Sequence, residues 1–266
     1  MQKKKIIRIN WHNAFGQILK HRWTPLGLQV IPEYEVAKNP LKIDVVVIRS
    51  EAVLSERKRG QLPDGIRDYL NAHNIIDFKS THESYGLEEL RKTDVYTGLY
   101  QIQEGINLDQ VTAFAVASMT PKKLLNAISQ WVHPQGNGVY VIESGLIKMI
   151  LLVPNEMEPK TANDVFELFA SHTERSQLAF ERMITDSFWY SLDGTLNLFT
   201  QFLKEFAMSG LTMRQLEENP QIGVDNMREV VRLLRQKKPS LLRDLLQDVD
   251  DSELEQILKE RKKKRK

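Results

Sequence analysis

The segments KIDVVVI, residues 42–48, and IIDFK, residues 75–79, decide the fold that this sequence predicts. Both are short apolar runs rich in β-branched residues and bounded by polar or turn residues, which is typical of buried β-strands. Because side chains alternate between the two faces of a strand, Asp77 and Lys79 share one face. Burying either charge alone would be costly, so we expect compensating charge there from Asp44, a metal ion or a phosphate group.

A further acidic strand is predicted just upstream, over residues 27–36. Glu33 and Glu35 are two positions apart in this strand and should share a face. Pro32 has no N–H to donate to a neighbouring strand, which predicts an edge position or a bulge. The turn-like residues 38–40 join this strand to the next one.

The composition predicts a folded protein with an acidic body. The chain has 266 residues, is 41% apolar and contains no cysteine, which excludes disulfides and thiolate metal sites and fits a reducing cytoplasm. Without Lys3–Lys5 and the wholly basic tail, residues 261–266, the chain has 28 basic and 35 acidic residues. Affinity for nucleic acid would therefore come from local patches or from the tail. We expect neither a signal peptide nor a membrane span, and hence a cytoplasmic protein.

The pattern over residues 1–155 predicts a mixed α/β core. A helix over Trp11–Trp23 precedes the acidic strands, and a short helix lies within the long connection before residue 75. After that strand the sequence predicts a helix over Leu87–Gln103 and a strand over Val111–Ala117. A further helix, capped by Thr120 and opened by Pro121, is predicted to run to Trp131. A hairpin of Val139–Ile142 and Leu146–Val153 follows. The strand-helix-strand order favours a parallel pair with a right-handed crossover.

The remainder of the chain, residues 156–266, is predicted to be a helical C-terminal region that ends in the basic tail. Prolines 154 and 159 mark the boundary. The predicted helices are Ala162–Ile184, Phe188–Met208, Thr212–Glu218, Asn226–Gln236 and Leu241–Lys263.

The order of the N-terminal elements resembles the core of the PD-(D/E)XK nuclease superfamily. A helix, a strand with glutamate, a strand with aspartate, a strand ending in Asp-x-Lys, a helix and a strand follow one another over about residues 6–118. The matching residues are Glu33 or Glu35, Asp44, Ile76, Asp77, Phe78, Lys79, Ser80, Tyr96 and Tyr100. The chain is most similar to an uncharacterised bacterial branch related to recombination-promoting nucleases and transposase-like proteins.

Two positions depart from the family pattern. Asp77 stands where glutamate is usual, although the pattern also allows aspartate. Lys92 stands four residues before Tyr96, where some relatives have glutamine. We interpret Lys92 as a solvated side chain, with a phosphate contact as the other interpretation.

The resemblance implies a restriction-endonuclease-like mixed sheet flanked by helices, and a magnesium-dependent endonuclease that acts on DNA, with manganese as a substitute ion. It implies that Asp44, Asp77 and the backbone carbonyl of Phe78 bind the metal, which suits the preference of magnesium for few carboxylates and hard oxygen ligands. Lys79 would then stabilise the negative charge that develops on water or phosphate. Glu33 or Glu35 would bind a second ion or orient water.

Other interpretations stay open at this point. Asp44 and Asp77 could form plain strand-end ion pairs with neighbouring lysines, and Glu33 and Glu35 could be solvent-exposed edge residues. The whole protein could be a catalytically inactive member of the fold that serves as a protein-interaction or DNA-binding module, with self-association through the helical C-terminal region. The six histidines lack metal-ligand spacing, and only His82, close behind the Asp-x-Lys motif, is a candidate for testing.

Overall fold

The computed structural model describes residues 11–35, 42–49, 54–144 and 147–183. In this part of the chain, seven strands form one mixed sheet in the order β1-β2-β3-β4-β7-β6-β5. The strands are β1 Leu28–Glu35, β2 Lys42–Arg49, β3 His73–Lys79, β4 Val111–Ala117, β5 Val132–Gly136, β6 Val139–Ile142 and β7 Met149–Leu152. Strands β3, β4 and β7 run parallel, and the other neighbouring pairs are antiparallel.

Helices flank this sheet. The α-helices of the described ranges are α1 Trp11–Trp23, α2 Glu56–Arg59, α3 Ile66–Tyr69, α4 Leu87–Glu104, α5 Lys122–Ala127, α6 Asp164–Glu167 and α7 Thr173–Met183. Helix α4 joins strands β3 and β4, and these two strands are parallel, as predicted. All seven residues of β4 are buried, as expected for a central strand that has helices on both sides.

Helix α1 packs on one face of the sheet through aromatic rings. Phe15 stacks on Phe78 of β3 with ring centroids 4.4 Å apart, and Phe169 meets both rings edge-on. Such contacts stabilise the fold by about 1 kcal/mol beyond the area they bury. Gly16 lets α1 approach the sheet edge, since a Cβ there would lie 2.9 Å from the Cβ of Pro32.

Helix α4 packs on the opposite face. Tyr100 and Thr97 are fully buried there, and Tyr100 belongs to an apolar cluster with Val46 and Ile75. The side chains of β3 therefore alternate as predicted: Phe78 points towards α1, while Ile75 points towards α4. This alternation decides which face carries the charged residues of the Asp-x-Lys motif.

The structure confirms the α/β class and most of the predicted elements, and it corrects three local predictions. Strand β5 was not predicted, because Pro134 and Gly136 interrupt its pattern. The helix expected from Thr120 begins at Lys122, since the Thr120 hydroxyl donates to Glu156 Oε1 at 2.6 Å instead of capping the helix. The single helix predicted from Ala162 is broken into α6 and α7.

The chain divides into two compact units, Met1–Met183 and Ile184–Lys266. The boundary predicted at residue 155 falls inside the first unit, where Asn163 and Lys160 both donate to the buried carboxylate of Asp64. The predicted helices from Phe188 onward and the basic tail lie outside the described residues. No described helix has the length and apolar content that crossing a bilayer requires.

The close approach of α1 to the sheet predicts opposite effects for the same substitution at two helical glycines. Gly16→Ala should lower the melting temperature despite the better helix propensity of alanine, because the new methyl group meets Pro32. Gly98→Ala in α4 is the matched control. Among the described residues, no neighbouring atom lies within 4 Å of the place its methyl group would occupy, so it should stabilise the protein by up to about 1 kcal/mol. Thermal unfolding of both variants measures this, and a stabilising Gly16→Ala would contradict the packing described.

Candidate active site

The regular pairing of strands β2 and β3 ends at Val45 and Ile76. The next residue of each strand beyond this pair is an aspartate, Asp44 in β2 and Asp77 in β3. Continuation of that register would place Asp44 opposite Asp77, so the two aspartates come near each other at this end of the strands. Beyond this pair, a side chain replaces the backbone carbonyl as hydrogen-bond acceptor: the backbone N–H of Phe78 donates to Asp44 Oδ2 at 2.7 Å. The structure thus brings the two predicted metal-binding aspartates together at one end of the two strands.

Lys79 completes the predicted trio. Its Nζ donates to Asp77 Oδ1 at 2.9 Å, and only 18% of the Lys79 side chain and 16% of the Asp77 side chain are exposed. Desolvation acts to lower the pKa of Lys79, but the ion pair with Asp77 outweighs it and raises the pKa overall. Lys79 is therefore a charged ammonium at neutral pH, suited to electrostatic stabilisation and unsuited to accepting a proton.

The two aspartates differ in protonation. Burial raises the pKa of Asp77 to about 7; Lys79 opposes the rise, and the nearby charge of Asp44 adds to it. Burial also acts on Asp44, but contact with His12 and the Phe78 N–H outweighs it and holds the pKa of Asp44 below its ordinary value. At neutral pH the pair therefore holds one fixed negative charge and one carboxyl group near its midpoint.

His12 of α1 is a site residue that the sequence pattern does not reveal. Its Nδ1 lies 3.0 Å from Asp44 Oδ1 as a close ion pair, and its Nε2 lies 3.0 Å from Glu83 Oε2. Contact with Asp44 raises the pKa of His12 to about 9, against partial burial and with a further contribution from Glu83. His12 is therefore a doubly protonated imidazolium that forms an ion pair with Asp44 through Nδ1 and a hydrogen-bonded ion pair with Glu83 through Nε2.

Glu83 ties the segment after β3 to this network. Its Oε2 accepts hydrogen bonds from the Ser80 backbone N–H at 3.3 Å and from the Ser80 hydroxyl at 3.0 Å. His82, the histidine singled out in the sequence, is exposed and does not line the cavity at this site. The residue of this polar loop that joins the site is therefore Glu83, the neighbour of His82 in the sequence.

Glu33 and Glu35 do not join the aspartates. Both are exposed on β1, which is an edge strand, as Pro32 predicted. Glu33 has a left-handed backbone with φ of 51°, so the regular alternation behind the prediction of a shared face is interrupted there. Glu35 lies 3.8 Å from Lys42 in an exposed ion pair. Neither glutamate lines the cavity beside the aspartates.

The aspartates line an open cavity of about 380 Å³. Its wall contains four carboxylates, three ammonium groups and three other side chains: Asp44, Asp77, Glu83 and Glu89; Lys42, Lys79 and Lys92; and Ser84, Thr93 and Tyr96. The wall thus has a small net negative charge when every acid is ionised. A phosphate anion would meet net repulsion there unless a cation or a proton compensates.

This site offers few protein ligands to a divalent cation. Among the described residues, no group of three or more histidine, aspartate or glutamate side chains is placed to hold a metal ion. Among the predicted metal ligands, the carboxylates of Asp44 and Asp77 line the cavity. Magnesium is commonly held by one or two carboxylates while it keeps several waters, so two carboxylates suffice for that ion.

No protein-family model matches this chain, and neither does any curated protein or solved structure.

Neutralising the two aspartates should change stability in opposite directions at pH 8. The raised pKa of Asp77 means that its protonated form favours folding, and this contribution is lost as pH rises through about 7. Asp77→Asn should then raise the melting temperature at pH 8 by a few degrees, with the gain shrinking by pH 5.5. The lowered pKa of Asp44 gives the reverse sign, because its ionised form favours folding at every pH above its ordinary value, so Asp44→Asn should destabilise.

Thermal unfolding of both variants in metal-free buffer at the two pH values measures this pair of effects. Equal destabilisation by both substitutions at pH 8 would contradict the assigned charge states.

Proposed function

We propose that this protein is a divalent-metal-dependent phosphodiesterase that cleaves DNA, with a restriction-endonuclease-like core. The observation that carries the proposal is the meeting of Asp44, Asp77 and Lys79 on one cavity wall, at the point where β2 and β3 part. Asp44 is far in sequence from Asp77 and Lys79, yet all three side chains line the same cavity. The PD-(D/E)XK superfamily uses residues of these types in this order of strands, which supports the proposal.

The charges of the cavity support a metal requirement. Asp77 is held near its midpoint because it is buried and because a second negative charge beside Asp44 is unfavourable without compensation. A divalent cation held by Asp44 and Asp77 would remove that cost and give the wall a net positive charge. A phosphodiester could then bind where it would otherwise be repelled.

The proposed roles follow from these positions. Asp44, Asp77 and the Phe78 carbonyl would hold magnesium, or manganese in its place, and the ion would supply Lewis-acid polarisation of a phosphoryl oxygen. The Lys79 ammonium lies 2.9 Å from Asp77, close enough to stabilise negative charge as it develops on the phosphate. His12 keeps Asp44 ionised, and it does not itself line the cavity.

DNA is the substrate class that the resemblance favours. Lys42 and Lys92 lie on the cavity wall, although Lys92 is engaged by Glu88 at 2.7 Å and is half exposed. The basic tail, residues 261–266, would add affinity that does not depend on base sequence. The absence of cysteine fits a cytoplasmic location for such an enzyme.

A second candidate function is a non-catalytic module that keeps the same fold. One observation favours it: both aspartates already have compensating protein partners, since His12 meets Asp44 and Lys79 meets Asp77. In that case the ion pairs of Asp44 with His12 and of Asp77 with Lys79 would be purely structural. Binding to a protein or to DNA, or self-association, would then rest on the C-terminal region.

Plasmid nicking in magnesium or manganese tests the enzymatic proposal. Asp44→Ala and Lys79→Ala should each reduce the nicking rate by about 100-fold or more, because each removes a charge that acts on the phosphate or its metal. Glu35→Ala is the matched control, since this exposed acid lies off the cavity wall, and it should nick at the wild-type rate. Equal nicking by all four proteins would assign the cleavage to a contaminant.

Magnesium titration separates the two candidate functions. Millimolar magnesium should raise the melting temperature of the wild type, because an ion bound only to the folded state stabilises that state. The rise should be larger at pH 8 than at pH 6, since magnesium must displace the proton of Asp77, whose pKa is about 7. An unchanged melting temperature at both pH values would favour the non-catalytic module.

A further inference from the structure

Two buried hydroxyl groups lie behind the Asp77 carboxylate. The Thr93 hydroxyl of α4 lies 3.3 Å from Asp77 Oδ2, and the Tyr85 hydroxyl lies 3.0 Å from Thr93 Oγ1. Thr93 is 1% exposed and Tyr85 is 4% exposed. Hydroxyl groups at this depth need protein partners, and these two form a short chain that ends on Asp77.

The available protons decide which hydroxyl group donates in each of these hydrogen bonds. Burial raises the pKa of Tyr85, so its hydroxyl is a neutral donor at every working pH. Its two neighbours are Thr93 Oγ1 and the sulfur of Met149 at 3.4 Å, and the thioether is much the weaker acceptor. Tyr85 therefore donates to Thr93, whose single proton must go elsewhere.

The Thr93 proton has two acceptors within reach. One is the Glu89 backbone carbonyl at 3.0 Å, the usual partner of a helical threonine, and the other is Asp77 Oδ2. A hydrogen bond to an ionised carboxylate is about twice as strong as one to a neutral acceptor. Once Asp77 is ionised, the Thr93 proton is drawn to it and fixes the orientation of the carboxylate.

We propose that Thr93, supported by Tyr85, is a positioning residue that holds the Asp77 carboxylate in the orientation that receives a divalent cation. The proposal rests on the metal-binding role given to Asp77 above. Lys79 donates to Oδ1 and Thr93 donates to Oδ2, so each carboxylate oxygen has a hydrogen-bond donor of its own. Partners that orient a ligand in this way are commonly worth about 10-fold or more in metal affinity.

Thr97 provides a matched control on the same helix. It is buried like Thr93 and lies one turn further along α4, and its hydroxyl donates to the Thr93 backbone carbonyl at 2.7 Å. The substitution to valine removes one buried hydroxyl at either position and keeps the side-chain shape. Only at Thr93 does that hydroxyl reach a proposed metal ligand.

The test is a calorimetric titration of the metal-free full-length protein with manganese at pH 8. Thr93→Val should weaken manganese binding by about 10-fold, while Thr93→Ser, which restores the hydroxyl, and Thr97→Val should bind within about 2-fold of the wild type. Tyr85→Phe should weaken binding by about 3-fold, since it removes the bond that directs the Thr93 proton. Melting temperatures without metal show whether each variant folds, and Tyr85→Phe carries the test if Thr93→Val does not fold.

The outcomes separate this proposal from the proposed function. Wild-type affinity in both Thr93→Val and Tyr85→Phe, with manganese binding and nicking intact in the wild type, would overturn the positioning role alone. An equal loss in Thr93→Val and Thr97→Val would also overturn it, because a general packing effect would then explain the result. A wild type that binds no manganese would overturn both the positioning role and the metal-dependent activity.

Discussion

The confinement of two aspartates at the parting ends of β2 and β3 is the constraint on which the site depends. The pairing of the strands stops at Val45 and Ile76, and Asp44 then accepts the Phe78 N–H in place of a backbone carbonyl. This holds two acids in one largely buried volume. Two full negative charges there are unfavourable, so the fold must supply protons or cations to balance them.

The fold balances the two acids from opposite faces of the sheet. His12 from α1 meets Asp44, while Lys79 of β3 and Thr93 of α4 meet Asp77. The result is asymmetric: Asp44 is ionised throughout the neutral range, whereas Asp77 changes charge near pH 7. A site built in this way is structurally complete without metal and also has one carboxyl group that a divalent cation would convert to its charged form.

Local periodicity made the strands and the pairing of Asp77 with Lys79 predictable. Alternation along β3 depends only on neighbouring residues, and so does the helical spacing that gave α1 and α4. His12 and Glu83 could not be found in this way, because their contact joins positions 71 residues apart. Glu33 and Glu35 lie away from the predicted site for a related reason. One left-handed residue, Glu33, interrupts the alternation of β1, and no sequence pattern marks it.

Burial and the negative charge of Asp44 keep Asp77 from ionising fully at neutral pH. The most direct measurement is a pH titration of the Asp77 carboxyl carbon by NMR, with and without magnesium. We expect a pKa of about 7 in the metal-free protein and a clear fall when magnesium is present. A metal-free midpoint near the ordinary aspartate value of about 3.9, unmoved by magnesium, would contradict it.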